Sequence, residues 1–455
     1  MTESSSLSSR DLASPERKHP PIATGRNLRR LVRDPLSYFQ AITAEFGDIV
    51  CYRTAPETAY LVNHPDYVRH VLVDNNRNYS KETHTNQTFN RVVAEGLLTS
   101  EGDVWRKQRR MMQPAFHRTR LAPLDQLIAE ETARMLDRWR RVQERDGTVD
   151  IAAEMADLTL TVTTRALFGV VLGEDVREIG ETVNGAVALL EKPSDPRVGE
   201  AVEKLFRVVD RIIRQRRSNF EDRGDLLSSM ILARDPESDA PMRDEEIRNQ
   251  VMTLMLAGYE TTASALTWTW YLLSQSPAAV RQLAAEARRV LGGRAPAYAD
   301  LDHLQYTGQV LNESMRLFPP AWILGRRALG DDEIGGYHVP AGTTVAICLY
   351  TLHRHPAFWE HPEDFDPDRF APVNSRGRHR FAFIPFGAGP RQCIGNNFGT
   401  MEATLVIAHV IQRFALELAP GVQVQPEPVF VLRSGRNLLM TLRGFPPSQG
   451  NADPA

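Results

Sequence analysis

Cys393 stands near the end of the glycine- and proline-rich segment 386–395, which reads FGAGPRQCIG. Its glycines allow a tight turn and a close approach to a flat partner. Apolar residues recur at helical spacing beyond it, so we expect a helix to begin directly after the cysteine. Backbone amides and the positive helix end then converge on the sulfur and favour a thiolate. A thiolate is one of the few axial ligands that heme iron accepts, although a lone cysteine is also often a small buried hydrophobe.

Glu260 and Thr261 lie in the middle of an apolar stretch, 251–273, within the longest predicted helix, 244–275. Gly258 costs about 1 kcal/mol relative to alanine, and hydroxyls that bond preceding carbonyls favour a local bulge. Such a bulge gives an acid and an alcohol room to pass protons into a cavity; the alternative is an ordinary polar kink. We discount a membrane span because a charge in mid-segment costs roughly 3 kcal/mol or more in lipid. The helix is therefore predicted to be the buried axis of a large protein.

Trp105 and Arg109 are four residues apart and share one face of a predicted helix. A flat aromatic ring beside a guanidinium suits a planar ligand that carries carboxylates. The neighbouring Arg106, Lys107 and Arg110 also fit the alternative, a solvated basic helix.

Glu313 and Arg316 are three residues apart on another predicted helix. An exposed pair at this spacing contributes only about 0.2–0.5 kcal/mol and is common on surfaces. The apolar neighbours Leu311 and Met315 instead favour a partly buried pair.

The composition excludes several classes of protein. The chain has 455 residues and a net charge of −3, without the basic excess typical of nucleic-acid binding. Three scattered cysteines are too few for a disulfide framework and indicate a reducing compartment. Residues 1–25 are predicted to be a disordered polar lead-in, since they lack the apolar core of a signal peptide or a membrane anchor.

The elements that must position these residues are mainly helices with small β-sheets. Apolar periodicity predicts further helices over 121–144, 151–167, 176–192 and 197–220. Short β-rich runs are predicted at 49–53, 59–62 and 344–350, with a hairpin between 430 and 442. We predict a single domain over 26–446, followed by a flexible tail, 447–455.

The pattern F-x-x-G-x-R-x-C-x-G resembles the heme-binding signature of the cytochrome P450 family, and its fixed positions are Phe386, Gly389, Arg391, Cys393 and Gly395. Four further motifs follow the family order: Trp105 with Arg109, residues 257–262, Glu313 with Arg316, and residues 366–370. The resemblance covers nearly the whole chain. It implies the cytochrome P450 fold, with heme b buried between the long central helix and the helix of the cysteine ligand.

The resemblance also implies a role for each motif. Cys393 would be the iron ligand, with Phe386 and Gly395 beside the heme. Glu260 and Thr261 would deliver protons. Propionate contacts are implied for Trp105, Arg109, Arg391 and Arg327, and a structural triad that locks the cysteine loop for Glu313, Arg316 and Arg369. Candidate pocket residues are mostly apolar, and they are Val93, Leu97, Met255, Ala257, Ala321, Ile323, Leu324 and Leu432.

The implied function is a monooxygenase of secondary metabolism that inserts one oxygen atom of O2 into a lipophilic small molecule. A terpenoid, a fatty acid or a polyketide fits equally. The motifs resemble those of the microsomal branch, yet no membrane anchor is predicted, so we expect a soluble, cytoplasmic bacterial enzyme. No flavin or iron–sulfur module is recognised, so electrons are expected from a ferredoxin or flavodoxin with its reductase. Arg106, Lys107 and Arg110 are a candidate docking patch for that partner.

Two alternatives remain on the same fold. One is a heme-thiolate sensor or carrier without turnover, and the other is a peroxygenase, dehydratase or isomerase. The intact pair of Glu260 and Thr261 argues against both alternatives. A sensor or carrier needs no proton relay, and peroxygenases, dehydratases and isomerases of this fold tend to lose the pair.

Overall fold

The structure is a computed structural model that describes residues 18–23, 28–54, 57–84, 86–87, 95–145, 147–169, 197–435 and 437–445. The predicted helix over 176–192, the predicted tail, Val93 and most of the predicted lead-in lie outside these residues.

Helices dominate the described chain, as predicted. In chain order they are α1 (Leu28–Arg33), α2 (Pro35–Phe46), α3 (Pro65–Arg69), α4 (Gly102–Met112), α5 (Arg118–Leu121), α6 (Leu124–Gln143), α7 (Ile151–Phe168), α8 (Arg197–Ser218), α9 (Leu226–Leu232), α10 (Asp244–Ser274), α11 (Pro277–Leu291), α12 (Gln305–Leu317), α13 (Leu349–Leu352) and α14 (Asn396–Ile411). The predictions for α6, α7, α8 and α10 are confirmed within a few residues at each end.

The strands are short and form small sheets. They are β1 (Ile49–Thr54), β2 (Glu57–Val62), β3 (Tyr79–Ser80), β4 (Thr148–Asp150), β5 (Ile323–Ala328), β6 (Asp332–Ile334), β7 (Tyr337–Val339), β8 (Thr344–Cys348), β9 (Phe414–Leu418), β10 (Glu427–Pro428), β11 (Leu432–Arg433) and β12 (Leu439–Gly444). The largest sheet has the order β1-β2-β8-β5-β3, with β2 and β8 parallel and the other pairs antiparallel. A second sheet has the order β4-β12-β9, while β6–β7 and β10–β11 are isolated pairs.

Helix starts follow from local sequence. The Asp34 side chain accepts a hydrogen bond from the Ser37 amide at 3.1 Å, and Pro35 occupies the first turn of α2. Asp150 caps α7 in the same way, accepting from the Ala152 amide at 3.1 Å. These caps satisfy amides that have no partner within the helix.

Helix α10 is the buried axis of the molecule, as predicted. It packs against α7, α8, α12 and α14, and both Trp268 and Trp270 are essentially fully buried. Within the described part of the chain, no helix combines the length and apolarity needed to cross a bilayer.

The centre of α10 differs from the prediction of a bulge, because the α-helix continues without a break through Gly258. The hydroxyls of Thr261 and Thr262 do donate to the carbonyls of Ala257 and Gly258, at 2.9 and 3.1 Å. A Cβ at Gly258 would lie 3.1 Å from the side chain of Thr163 on α7. Gly258 therefore serves the close packing of α7 on α10 rather than a break in the helix.

Glu313 and Arg316 form a fully buried pair, with Arg316 Nε donating to Glu313 Oε2 at 2.6 Å. Arg316 also donates to the carbonyls of Pro362 and Asp364, at 2.6 and 3.0 Å. Arg369 lies 3.4 Å from Glu313 Oε1. The structure thus brings the three predicted residues together, and they tie α12 to the segment that leads into the Cys393 loop.

Candidate active site

The Cys393 loop is folded by one backbone bond and two left-handed glycines. The Cys393 amide donates to the Phe386 carbonyl at 2.9 Å, and Gly387 and Gly389 have φ of 69° and 70°. A Cβ on Gly389 would lie 1.9 Å from the Leu72 carbonyl oxygen, so only glycine lets the loop pack there. Helix α14 starts at Asn396, which confirms the predicted helix directly after the cysteine.

Two opposing effects act on the Cys393 thiol. Cys393 is exposed at the surface of the loop, yet desolvation by the surrounding protein atoms raises its pKa, whereas the Gly395 amide and the Arg109 guanidinium lower it by less. The sequence analysis predicted that backbone amides and the helix end together favour the thiolate. The net shift of the pKa is upward instead, and a metal that coordinates a thiol deprotonates it.

Trp105 and Arg109 reach the cysteine loop from α4. The Arg391 guanidinium lies over the Trp105 ring, 3.9 Å from its centroid. Arg109 Nη1 donates to the Gln392 carbonyl at 2.9 Å. Trp105 therefore contacts Arg391, and Arg109 holds the backbone beside Cys393. The structure brings Trp105, Arg109, Arg391 and Cys393 together.

A buried cluster of positive side chains lies beside this loop, and we define the cation cluster as Lys81, Arg326 and Arg391. Glu101 is its acidic partner, 2.6 Å from Arg391 Nη2. Burial and the charges of Arg326 and Arg391 lower the pKa of Lys81 to about 7. Burial and Arg391 lower the pKa of Arg326 to about 10. Three cations with one carboxylate leave an excess of buried positive charge.

The cluster contains Arg326, whereas the sequence analysis assigned Arg327. Successive side chains of a strand point to opposite faces, and on β5 it is Arg326 that is buried near Arg391. The Arg327 guanidinium lies on the other side, near Gly342. The assignment is corrected by one residue.

The residues of this site fit a heme. The buried Nη1 of Arg391 has no hydrogen-bond partner among the described residues, and the cation cluster as a whole can accept carboxylates such as the two propionates. No described group of three or more His, Cys, Asp or Glu could hold a bare metal ion. Cys393 offers a single ligand, which suits an iron whose other ligands come from a porphyrin.

Glu260 and Thr261 point in different directions from α10. The Thr261 hydroxyl bonds its own helix at Ala257, as described above. The Glu260 carboxylate instead accepts from Arg433 Nε at 2.8 Å, and Arg433 Nη2 also contacts the same oxygen. Sequence analysis missed Arg433 because it lies 173 residues from Glu260.

The predicted pocket residues divide into two groups. Ala257, Ala321, Ile323 and Leu324 are partly exposed, as expected for a lining. Buried residues are Met255 at 1%, Leu432 at 0% and Leu97 at 9% exposure. Met255 and Leu432 belong to core clusters, and their contact with a substrate stays a prediction.

Phe430 is a pocket candidate that sequence analysis missed. It lies two residues before Leu432 and is partly buried against the core cluster that includes Leu256 and Tyr259. The predicted hairpin between 430 and 442 is wrong, because β11 pairs with β10, whereas β12 pairs with β4 and β9.

The predicted docking patch on α4 is not a free basic surface. Arg106 pairs with Asp103, and Lys107 lies 3.0 Å from Glu246. Arg110 lies 3.1 Å from Asp235 and 2.9 Å from Glu237. Acids that are distant in sequence neutralise most of this charge.

A family model described as Cytochrome P450 matches residues 14–440. The chain is 39% identical to "Cyclooctatin synthase" of Streptomyces melanosporofaciens, over 89% of this chain and 90% of that protein. It is 35% identical to "Cyclooctat-9-en-7-ol 5-monooxygenase" of the same organism, over 86% and 87%. It is 32% identical to "Pentalenene oxygenase" of Streptomyces avermitilis, over 92% and 95%.

The fold is similar to a solved structure, the crystal structure of the cytochrome P450DA heme domain. The TM-score is 0.87 at 27% sequence identity, and the match covers 94% of this chain and 98% of that one.

Proposed function

This chain belongs to the cytochrome P450 family, and from that premise we propose that it oxygenates a cyclic terpenoid. It is a heme-thiolate monooxygenase by family. The observation that carries the terpenoid proposal is the identity of 39, 35 and 32% to the three Streptomyces proteins, two of which are named for oxygenating such compounds. Fatty acids and polyketides become the alternatives in the test.

We assign the heme contacts from the geometry of the loop. Cys393 would hold the heme iron through its thiolate, with Phe386 and Gly395 beside it in the loop. The cation cluster holds the propionates, and Trp105 supports it by carrying Arg391 on its ring. Arg109 adds a positive charge beside the sulfur. Heme, when bound, would supply the activation of O2, in which two electrons and two protons are consumed as one oxygen atom enters a substrate C–H bond and the other leaves as water.

The chain's own part in the reaction is proton supply and exclusion of water. Thr261 presents a hydroxyl at the edge of the pocket, where it is partly exposed. Glu260 is the nearby acid that replaces the protons used there. This relay is what separates an oxygenase from a heme-thiolate carrier.

The pocket suits an apolar ring system. Its partly exposed candidates, Ala257, Ala321, Ile323, Leu324 and Phe430, carry no charge. An apolar lining with few polar groups binds by burial of apolar surface, which fits a hydrocarbon-rich substrate.

Electrons come from a separate redox protein, for which a ferredoxin is our first choice and a flavodoxin the second. Arg376 and Arg380 are exposed in the segment that leads into the Cys393 loop, and neither forms an ion pair with any described residue. We place the docking surface for an acidic partner here rather than on α4.

The test starts with the ferric protein and a panel of cyclic terpenoids, fatty acids and macrolides. We expect cyclic terpenoids to shift the iron from low to high spin, and turnover with ferredoxin, reductase and NADPH to yield a product heavier by one oxygen atom. A spin shift and product with fatty acids or macrolides alone would contradict the terpenoid assignment.

Cys393→Ala is the variant that tests the ligand. Loss of the thiolate-type spectrum of the reduced CO complex is expected, because no other described cysteine is near; Cys51 and Cys348 are buried in the β-containing part. Cys51→Ala is the matched control and should keep the spectrum. An unchanged spectrum in Cys393→Ala would contradict the assignment of Cys393 as the iron ligand.

A further inference from the structure

One face of α10 holds the segment of β11. Glu260, Ser264 and Trp268 are spaced by four residues and therefore share that face. Ser264 Oγ and Trp268 Nε1 both donate to the Leu432 carbonyl, at 2.6 and 2.8 Å. The Leu432 amide donates to the Pro320 carbonyl at 2.9 Å. The backbone that carries Arg433 is thus fixed to α10 independently of its own side chain.

The Arg433–Glu260 pair extends from the protein interior toward solvent. The side chain of Glu260 is 8% exposed, and that of Arg433 is 32% exposed. Removing one partner of such a pair leaves the other charge buried without compensation. Arg433 therefore contributes to holding the Glu260 carboxylate in place.

Thr261 does not share this face. It follows Glu260 directly, so its side chain leaves the helix about 100° further round. The acid is therefore oriented by Arg433 on β11, while the alcohol is oriented by its own helix through Ala257.

We propose that Arg433 is a positioning residue for proton delivery, an inference that rests on the proposed function. Arg433 holds Glu260 at the boundary between the pocket and Thr261. Its partly exposed guanidinium keeps the acid in contact with solvent, from which protons used in the pocket are replaced. Phe430 lies on the same segment, so a substrate packed on Phe430 contacts the element that orients the acid.

The first experiment measures the pair without turnover. Melting temperatures of the heme-loaded wild-type protein, Arg433→Gln, Glu260→Gln and the double variant form a cycle. We expect the loss in the double variant to be smaller than the sum of the two single losses, because the second substitution removes the uncompensated charge left by the first. Additive losses would overturn the pairing.

The second experiment measures how electrons are used. In Arg433→Gln we expect product formed per NADPH to fall about tenfold, with hydrogen peroxide taking up the remaining electrons, since proton delivery by a positioned acid contributes a hundredfold or more. Substrate affinity, read from the spin shift, should stay within about twofold. Arg433→Lys should recover part of the product formed per NADPH. The double variant should form at least as much product per NADPH as Glu260→Gln alone.

Arg443→Gln is the matched control. It removes an exposed ion pair with Glu417, at 2.8 Å, from the neighbouring sheet. It should leave both the melting temperature and the product ratio unchanged.

The outcomes separate this inference from the proposed function. A wild-type protein that oxygenates no terpenoid contradicts the proposed function, while the melting cycle still decides the pairing. An unchanged product ratio in Arg433→Gln, with the wild-type active, overturns the positioning role alone.

Discussion

At the scale of single residues, two adjacent arginines on β5 lie in different environments because they point to opposite faces of the strand. Arg326 joins the buried cation cluster and Arg327 does not, although the two are adjacent and identical in type. The alternation of a strand decides this, and a sequence that reads Arg-Arg gives no means to choose between them. In our proposal, the positive charge at Arg326, Lys81 and Arg391 is the part of the site that would hold the heme carboxylates.

We predict that Arg326→Gln weakens heme retention. One charge-assisted hydrogen bond contributes about 1.5–3 kcal/mol, so heme should leave about ten times faster or more. The measurement is heme transfer to an excess of apomyoglobin. Arg327→Gln, on the opposite face of the same strand, is the control, and equal rates for both variants would contradict the assignment.

At the scale of elements, the Cys393 loop depends on its contact with the turn at His70–Asp74. That turn is a π-helix, and its Leu72 carbonyl is the group that a side chain on Gly389 would strike. The triad of Glu313, Arg316 and Arg369 holds the other end of the approach to the loop. The loop is thus clamped at two places by elements far apart in the chain.

Gly389→Ala is expected to destabilise the protein by about 3 kcal/mol or more. The left-handed backbone costs about 1–2 kcal/mol for a non-glycine residue, and the clash with Leu72 adds to that. Gly421→Ala is the matched control, since Gly421 has φ of 81° with nothing within 4 Å of its added Cβ. Urea unfolding of the two variants gives the comparison. Similar losses in the free energy of unfolding for both variants would show that the loop shifts to relieve the clash with Leu72.

At the scale of the whole molecule, charge pairing sets the surface that a redox partner meets. Lys107 and Arg110 of α4 are paired with Glu246, Asp235 and Glu237, which come from the region before and within α10. Exposed charge without such pairing remains at Arg376 and Arg380.

Arg380→Glu should slow reduction by an acidic ferredoxin about tenfold at low ionic strength, because it reverses the sign of a steering charge. The difference should vanish at about 0.5 M salt, where charges are screened within a few ångströms. Stopped-flow reduction under CO measures both. Arg106→Glu is the control, because the native charge of Arg106 is already paired with Asp103, and its reduction rate should stay within about twofold of the wild-type rate. A larger effect on the rate in Arg106→Glu than in Arg380→Glu would instead favour a docking surface on α4.

The sequence by itself determined the helical class, the buried axis α10, the helix after Cys393 and the pairing of Glu313 with Arg316. These follow from short-range patterns: periodicity, glycine and proline placement, and spacings within one helix turn. Only the tertiary structure decided that Arg326 joins the site, that Arg433 holds Glu260 and that Lys107 is paired with Glu246. The pairs Glu260–Arg433 and Lys107–Glu246 join residues 173 and 139 positions apart. No local pattern encodes such partners, because they meet through the packing of whole elements.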